Sequence, residues 1–223
     1  MTRWIFPRNV FSFSSSRRPV MPTGFDGSTR IKINETFFSI QGEGRWTGMP
    51  AWFIRLQGCK VGCPWCDSKN TWPESQDDGV SFVELVRQIP YNARHVVVTG
   101  GEPFEQRIRR LLKAIDLTGR RVQVETSGCY DVERPGWITV SPKRYKPLSK
   151  QALKNADEIK QVVTCADDIK WMQEEVLPYC SRWIPVYLQP VSNGQRALEL
   201  CIEECKRSGY LLSLQTHKMI NIP

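Results

Sequence analysis

A chain of 223 residues is long enough for one domain with a full core and too short for two comfortable ones. Its net charge of +8 invites a nucleic-acid partner, but much of the excess sits at the front, where Arg3, Arg8, Arg17, Arg18 and Arg30 stand against Asp26 alone, and no later stretch forms a basic stripe interleaved with aromatics. No apolar run is long enough to span a bilayer, and the eight cysteines are too uneven for a disulfide framework, so the composition argues against nucleic acid and membrane and for a reducing, cytoplasmic compartment.

Residues 1–28 read as an extension. Ser12, Ser14, Ser15, Ser16, Arg17 and Arg18 crowd one segment, and Pro7, Pro19 and Pro22 interrupt it. A disordered tail upstream of a working start at Met21 and an organelle-targeting segment both fit that composition. Residues 29–223 form the expected single domain. It opens on a short polar-ended segment, 34–44, that closes on Gln41-Gly42-Glu43-Gly44; this turn lacks the Lys-Ser/Thr ending of a phosphate loop. A strand is expected over 51–56, a helix over 82–89, a strand over 94–99 and a helix over 104–117, where Ile108, Leu111, Leu112 and Ile115 keep helical spacing. Strands follow over 121–125, 137–140 and 158–163, then a helix over 168–177 and a strand over 184–188. A helix over 195–208, stopped by Gly209, and a last strand over 210–214 close the series. Alternating apolar strands and helices predict an α/β fold with a parallel sheet covered by helices. The elements are too few for eight β/α units, so the expected architecture is an incomplete, partial TIM-type β/α barrel, with functional residues just past the strand C-termini.

The chemistry-bearing residues fall where that rule puts them. Cys59, Cys63 and Cys66 follow the first strand at C-x3-C-x2-C spacing. Three thiols in eight residues, with no second pair and no nearby histidine, suit an iron–sulfur cluster with one open iron better than four-coordinate zinc or inert buried thiols. In such a cluster S-adenosylmethionine fills the open position and the protein does radical chemistry. Gly100-Gly101-Glu102-Pro103 follows the next strand and offers unobstructed backbone N–H groups and a carboxylate to a zwitterionic amino acid, or is a plain turn with Pro103 at the first helical position. Glu125 ends its strand and either faces a ligand or is solvated. Ser141-Pro142-Lys143 brings a hydroxyl and an ammonium to the same rim. His95, at a strand start, reads as structural, and His217 as the better site candidate. Cys201 and Cys205 share one helix face, an arrangement open to a second metal but better explained by packing among Leu198 and Ile202.

These motifs resemble the radical S-adenosylmethionine superfamily, and within it the 7-carboxy-7-deazaguanine synthases of queuosine and 7-deazapurine biosynthesis. The resemblance rests on Phe38 to Gly44, Phe53 to Cys59, Cys66 to Trp72, His95 to Pro103, Val124 to Gly128, Val140 to Lys143, Leu188 to Pro190 and Gln215 to Lys218. It implies a [4Fe-4S] cluster on Cys59, Cys63 and Cys66, and S-adenosylmethionine on Gly101, Ser141, Pro142, Lys143 and Gln189. It implies a pterin substrate on Ile40, Gln41, Gly42, Arg55, Thr99 and the carboxylate of Pro223, with Glu102, Glu125 and His217 as lesser candidates. Magnesium would sit on Ser68, where the family often has Thr. The implied reaction is a radical ring contraction of 6-carboxy-5,6,7,8-tetrahydropterin with loss of ammonia, fed by an external one-electron donor such as flavodoxin in a homodimer. A glycyl-radical activase shares the cysteine spacing but needs an open groove. A non-enzymatic iron–sulfur or zinc module leaves Gly-Gly-Glu-Pro and Ser-Pro-Lys without a purpose.

Overall fold

A computed structural model describes residues 28–223; the reading of residues 1–28 as an extension falls, but for Ser28, outside the described residues. The main sheet contains β2 (Ile33–Ile40), β3 (Pro50–Leu56), β5 (His95–Gly100), β6 (Arg121–Thr126), β7 (Trp137–Val140), β8 (Glu158–Val163), β9 (Val186–Pro190) and β10 (Leu211–Leu212). Their spatial order is β10-β9-β8-β7-β6-β5-β3-β2. β2 runs antiparallel to β3, and all other neighbours are parallel. A small antiparallel ladder of β1 (Arg30–Ile31) and β4 (Val80–Ser81) lies apart. The helices are α1 (Phe82–Gln88), α2 (Arg109–Asp116), α3 (Lys150–Lys154), α4 (Ala166–Trp171), α5 (Gln195–Ser208) and α6 (Thr216–Met219). The sheet ends at β2 and β10 without closing, so the partial β/α barrel is what the chain forms. Among the described residues no helix is long and apolar enough to cross a membrane.

Period-two alternation explains why one face of this sheet can carry chemistry. Val96 and Val98, Val122 and Val124, Ile138 and Val140, and Ile159 and Val163 join one buried core with Leu111, Leu112 and Ile115 of α2 and Leu85 and Val86 of α1. Each such side chain contributes roughly 1.5–3 kcal/mol by leaving water. The residues between them, including Thr99, Glu125 and Lys160, turn to the opposite, concave face and line its cavity.

The structure departs from the sequence reading at several elements. Residues 34–44 are no mere lead-in: Ile33–Ile40 is a full edge strand, registered on β3 from Ile33 opposite Leu56 to Ile40 opposite Pro50. Phe37 stacks on Phe53 with centroids 5.0 Å apart. The helix expected from 104 starts at Arg109, because Glu102 accepts from the Phe104 N–H at 3.2 Å and holds Pro103–Glu105 as a separate tight turn. The helix expected over 168–177 begins earlier, at Ala166. Asp168 accepts there from Thr164 N–H (2.8 Å) and Cys165 N–H (3.2 Å), fixing the start. α3 was not foreseen. Cys201 is fully buried and Cys205 packs on the same core, as the packing reading of that helix face requires.

Candidate active site

A cavity of about 440 Å³ opens at the C-terminal ends of the parallel strands. The cysteine loop leaves β3 and borders it, with Cys59, Cys63 and Cys66 all on the lining. Each sulfur has a protein donor. Val61 and Gly62 N–H groups point at Cys59, Ser68 N–H lies 3.4 Å from Cys66 Sγ, and the Tyr145 hydroxyl bonds Cys63. Tyr145 in turn stands edge-on to Trp65 at 5.6 Å. Burial pushes the Cys59 thiol up, and its two N–H donors oppose that shift. Three cysteine sulfurs on one lining are a donor set that soft metals favour. Among the described residues no three His, Cys, Asp or Glu side chains gather round one point.

The glycines after β5 work differently from the expectation. The Gly101 N–H is bonded to Leu56 O (2.9 Å) and the Glu102 N–H to Gly58 O (2.9 Å), so these amides clamp the cysteine loop and do not wait for a ligand. A methyl group on Gly101 would lie 1.9 Å from Gly58 O, and one on Gly100 2.3 Å from Leu56 N. Close backbone approach is what demands glycine here. Glu102 is also engaged within the protein. Its carboxylate accepts from Thr126 Oγ1 (2.6 Å), Ser127 N (2.8 Å), Ser127 Oγ (2.5 Å) and Phe104 N (3.2 Å). Four donors fill its acceptor sites, and burial still pushes its pKa up. Glu102 therefore ties the β5 and β6 turns together.

Across the rim, Lys143 donates to Ser141 Oγ at 2.7 Å, and burial lowers its pKa. Both residues line the cavity, as do Gly101 and Gln189; Pro142 is buried beneath them and is not on the lining. Gln189 Oε1 accepts from Ser213 Oγ (2.9 Å), whose oxygen accepts from the Gly44 N–H (2.9 Å).

Ile40, Gln41, Gly42, Arg55, Thr99 and Pro223 also meet at this cavity. Gln41 is buried and fully used: its Nε2 donates to Glu125 (2.9 Å) and Gln123 (3.3 Å), and its Oε1 accepts from Glu43 N–H (3.1 Å). Arg55 is held by Glu35 (2.8 Å), by Ser68 Oγ (3.0 Å) and over the Phe37 ring. Ser68 thus stands between that guanidinium and Asp67, to which it donates at 3.2 Å.

Sequence reasoning assigned no role to Lys160. Lys160 on β8 is 4 % exposed, and its Nζ contacts the carboxylates of Glu43 and, at 3.3 Å, Glu125. Burial alone would raise Glu43, but Lys160 and Gln215 hold its pKa at about 2. Burial alone would lower Lys160, but Glu125 and Glu43 raise it. The polar alternation Glu158, Lys160 against apolar Ile159 was the available signal.

The chain's end folds over the cavity. α6 is tied to the cysteine loop by Lys218 and Asp67 (2.6 Å). Gln215 donates to Glu43 (2.9 Å), and Thr216 N–H to Gly42 O (3.1 Å). His217 lies against Gly42, where a methyl group would meet its Nδ1 at 2.2 Å. Pro223 O accepts from Ser39 Oγ at 2.7 Å.

No family model matches the chain. It is 41% identical to the 7-carboxy-7-deazaguanine synthase of Escherichia coli (strain K12) over 220 residues, covering 85% of this chain and 98% of that protein. It is 39% identical to the synthase of the same description from Synechocystis sp., over 193 residues and 92% of that protein, and 34% identical to that of Aquifex aeolicus, over 209 residues and 95%. The crystal structure of QueE from Escherichia coli superposes with a TM-score of 0.77 at 37% identity, over 85% of this chain and 96% of that one.

Proposed function

Because the chain belongs to the 7-carboxy-7-deazaguanine synthase family of the radical S-adenosylmethionine superfamily, we propose that its concave rim binds and orders the reactants of that family's ring contraction. The chain is a radical carbon–nitrogen lyase that converts 6-carboxy-5,6,7,8-tetrahydropterin to 7-carboxy-7-deazaguanine with loss of ammonia. The observation that carries this is the 41% identity along nearly the whole length of a synthase. The joining of the three cysteines to the Gly101, Ser141, Lys143 and Gln189 rim in one cavity supports it.

Cys59, Cys63 and Cys66 would hold the [4Fe-4S] cluster, which with S-adenosylmethionine supplies hydrogen-abstracting radical chemistry when bound. Gly101, Ser141, Lys143 and Gln189 present backbone and polar atoms to S-adenosylmethionine, with Pro142 setting the turn. Arg55, Thr99, Ile40, Gly42 and the carboxylate of Pro223 surround the pterin, and the α6 strap keeps water from it. Gln41 acts by fixing Glu125 rather than by a free amide. Ser68 would offer its hydroxyl oxygen to magnesium, and Arg55, bonded to that oxygen here, carries the guanidinium that would pair bidentately with the substrate carboxylate. The further partners are an external one-electron carrier such as flavodoxin and a second copy of the chain. The closing strap speaks against the open groove of a glycyl-radical activase.

The test is iron content and the cluster's visible absorption after anaerobic reconstitution. Ala at Cys59, Cys63 or Cys66 abolishes both, while Ala at Cys201 or Cys205 leaves both intact. Loss of iron in a folded Cys201 or Cys205 variant would reveal a second site and contradict the assignment.

A further inference from the structure

Glu43, Lys160 and Glu125 form a row with one cation between two carboxylates. Glu43 comes from the turn after β2, Lys160 from β8 and Glu125 from β6. All three line the cavity, so the row faces ligand and not solvent. The side chains of Glu43 and Glu125 are 13 % and 20 % exposed, and that of Lys160 5 %. Gln41 and Gln215 brace the two carboxylates from the side. The remaining charged and titratable groups facing the row are Glu158 on the same strand, Lys143 beyond β7, His217 on α6 and Asp67 of the cysteine loop, which shares Gln215 with Glu43. An ammonium this deep is costly unless its partners stay ionised, and the carboxylates are costly without it. Each carboxylate oxygen pair retains acceptor capacity beyond its contact with Lys160.

We propose that Lys160 is a positioning residue for substrate recognition: it fixes Glu43 and Glu125 as a rigid pair of acceptors for the ring N–H groups of the reduced heterocycle. The inference rests on the proposed function, deepening it from a list of surrounding residues to a polarity. This wall of the cavity carries a net negative charge and accepts hydrogen bonds, so it favours a ring rich in N–H over one with bare nitrogens. Lys160 makes no contact with the reacting atoms in this account; its effect passes through the carboxylates. Without it, two carboxylates share a buried space and retain a proton between them at neutral pH, which removes an acceptor.

The experiment measures substrate dissociation constants by anaerobic calorimetry on cluster-loaded enzyme with S-adenosylmethionine and no reductant, so that no turnover occurs. Wild type should bind 6-carboxy-5,6,7,8-tetrahydropterin equally from about pH 6 to pH 8.5, because the Glu43–Lys160 contact holds both of those groups ionised. Lys160→Met should bind it about 10- to 100-fold more weakly at the acid end and recover as pH rises, the range expected for lost charge-assisted bonds. Its affinity for S-adenosylmethionine should not change. Lys160→Arg should restore most of the binding. Wild-type affinity in Lys160→Met overturns the proposal. So does a loss that is equal at all pH values and unrescued by Lys160→Arg. If Lys160→Met does not fold, Glu125→Gln decides: weaker substrate binding with unchanged S-adenosylmethionine binding is expected, and wild-type affinity contradicts it. Failure of wild type to bind the pterin at all would instead strike the functional reading itself.

Discussion

His95 lies fully buried on the concave face, with Nε2 2.9 Å from Gln123 Oε1. That oxygen can only accept, so the imidazole donates through Nε2 and Nδ1 is the lone-pair nitrogen. The chain continues from Gln123 Nε2 to Thr139 Oγ1 (3.0 Å) and from Thr139 to Glu158 (2.8 Å), so the direction of each proton follows from the first. Burial pushes the His95 pKa down to about 4 from 6.5. The folded state therefore favours the neutral ring. Its contribution is fully present above pH 6.5 and is lost as pH falls through about 4, a change on the order of 3 kcal/mol. Urea unfolding of wild type and His95→Gln from about pH 7 to pH 4 checks this: the difference in stability between them should shrink on the acid side by that order. A constant difference would mean that His95 does not titrate on unfolding. The structural reading of His95 was legible from its place at a strand start. Lys160 was not, because an apolar-strand pattern records the helix-facing residues and says nothing of which polar side chains on the other face meet. Glu102 and Gln41 were legible as positions but not as roles; only the partners show that both are spent inside the protein.

At the scale of elements, the turns after β3, β5, β6, β7 and β9 carry the site, and the alternation of strand and helix predicted that placement. β2 escaped the reading because its polar ends and adjacent Phe37 and Phe38 blur the period-two pattern, and its pairing with β3 is long-range information. The strap of α6 was read through His217 and the terminal residue, not through its contacts. Its grip comes from contacts with Asp67, Glu43, Gly42 and Ser39. Two glycines added after Pro223 move the terminal carboxylate while leaving those helix contacts in place. Substrate binding should weaken by about 1–3 kcal/mol, the worth of charged hydrogen bonds, with S-adenosylmethionine affinity unchanged. Unchanged substrate affinity would show that the chain's end takes no part in recognition. Gly42→Ala attacks the same strap from beneath, since its methyl group would collide with His217. It should weaken substrate binding in the same direction, measurable by the same titration, and a wild-type constant would mean that the strap yields without cost.

For the whole molecule, one open sheet places a cysteine loop, a polar rim and a closing strap around a single cavity, and residues 1–27 stand outside that description. A chain beginning at Ser28 should fold, load iron and turn over as the full-length protein does; a large loss of activity at equal iron content would assign the front segment a part in the reaction. The function assigned to this cavity is the contraction of a pterin ring by radical chemistry. Its most direct measurement is product analysis by mass spectrometry after anaerobic reconstitution with iron and sulfide, reduction, and incubation with S-adenosylmethionine, magnesium and 6-carboxy-5,6,7,8-tetrahydropterin. 7-Carboxy-7-deazaguanine and ammonia are expected in equal amounts, and neither from the Cys59, Cys63 or Cys66 variants. A fully loaded, reduced enzyme that cleaves S-adenosylmethionine yet leaves the pterin unchanged would contradict it.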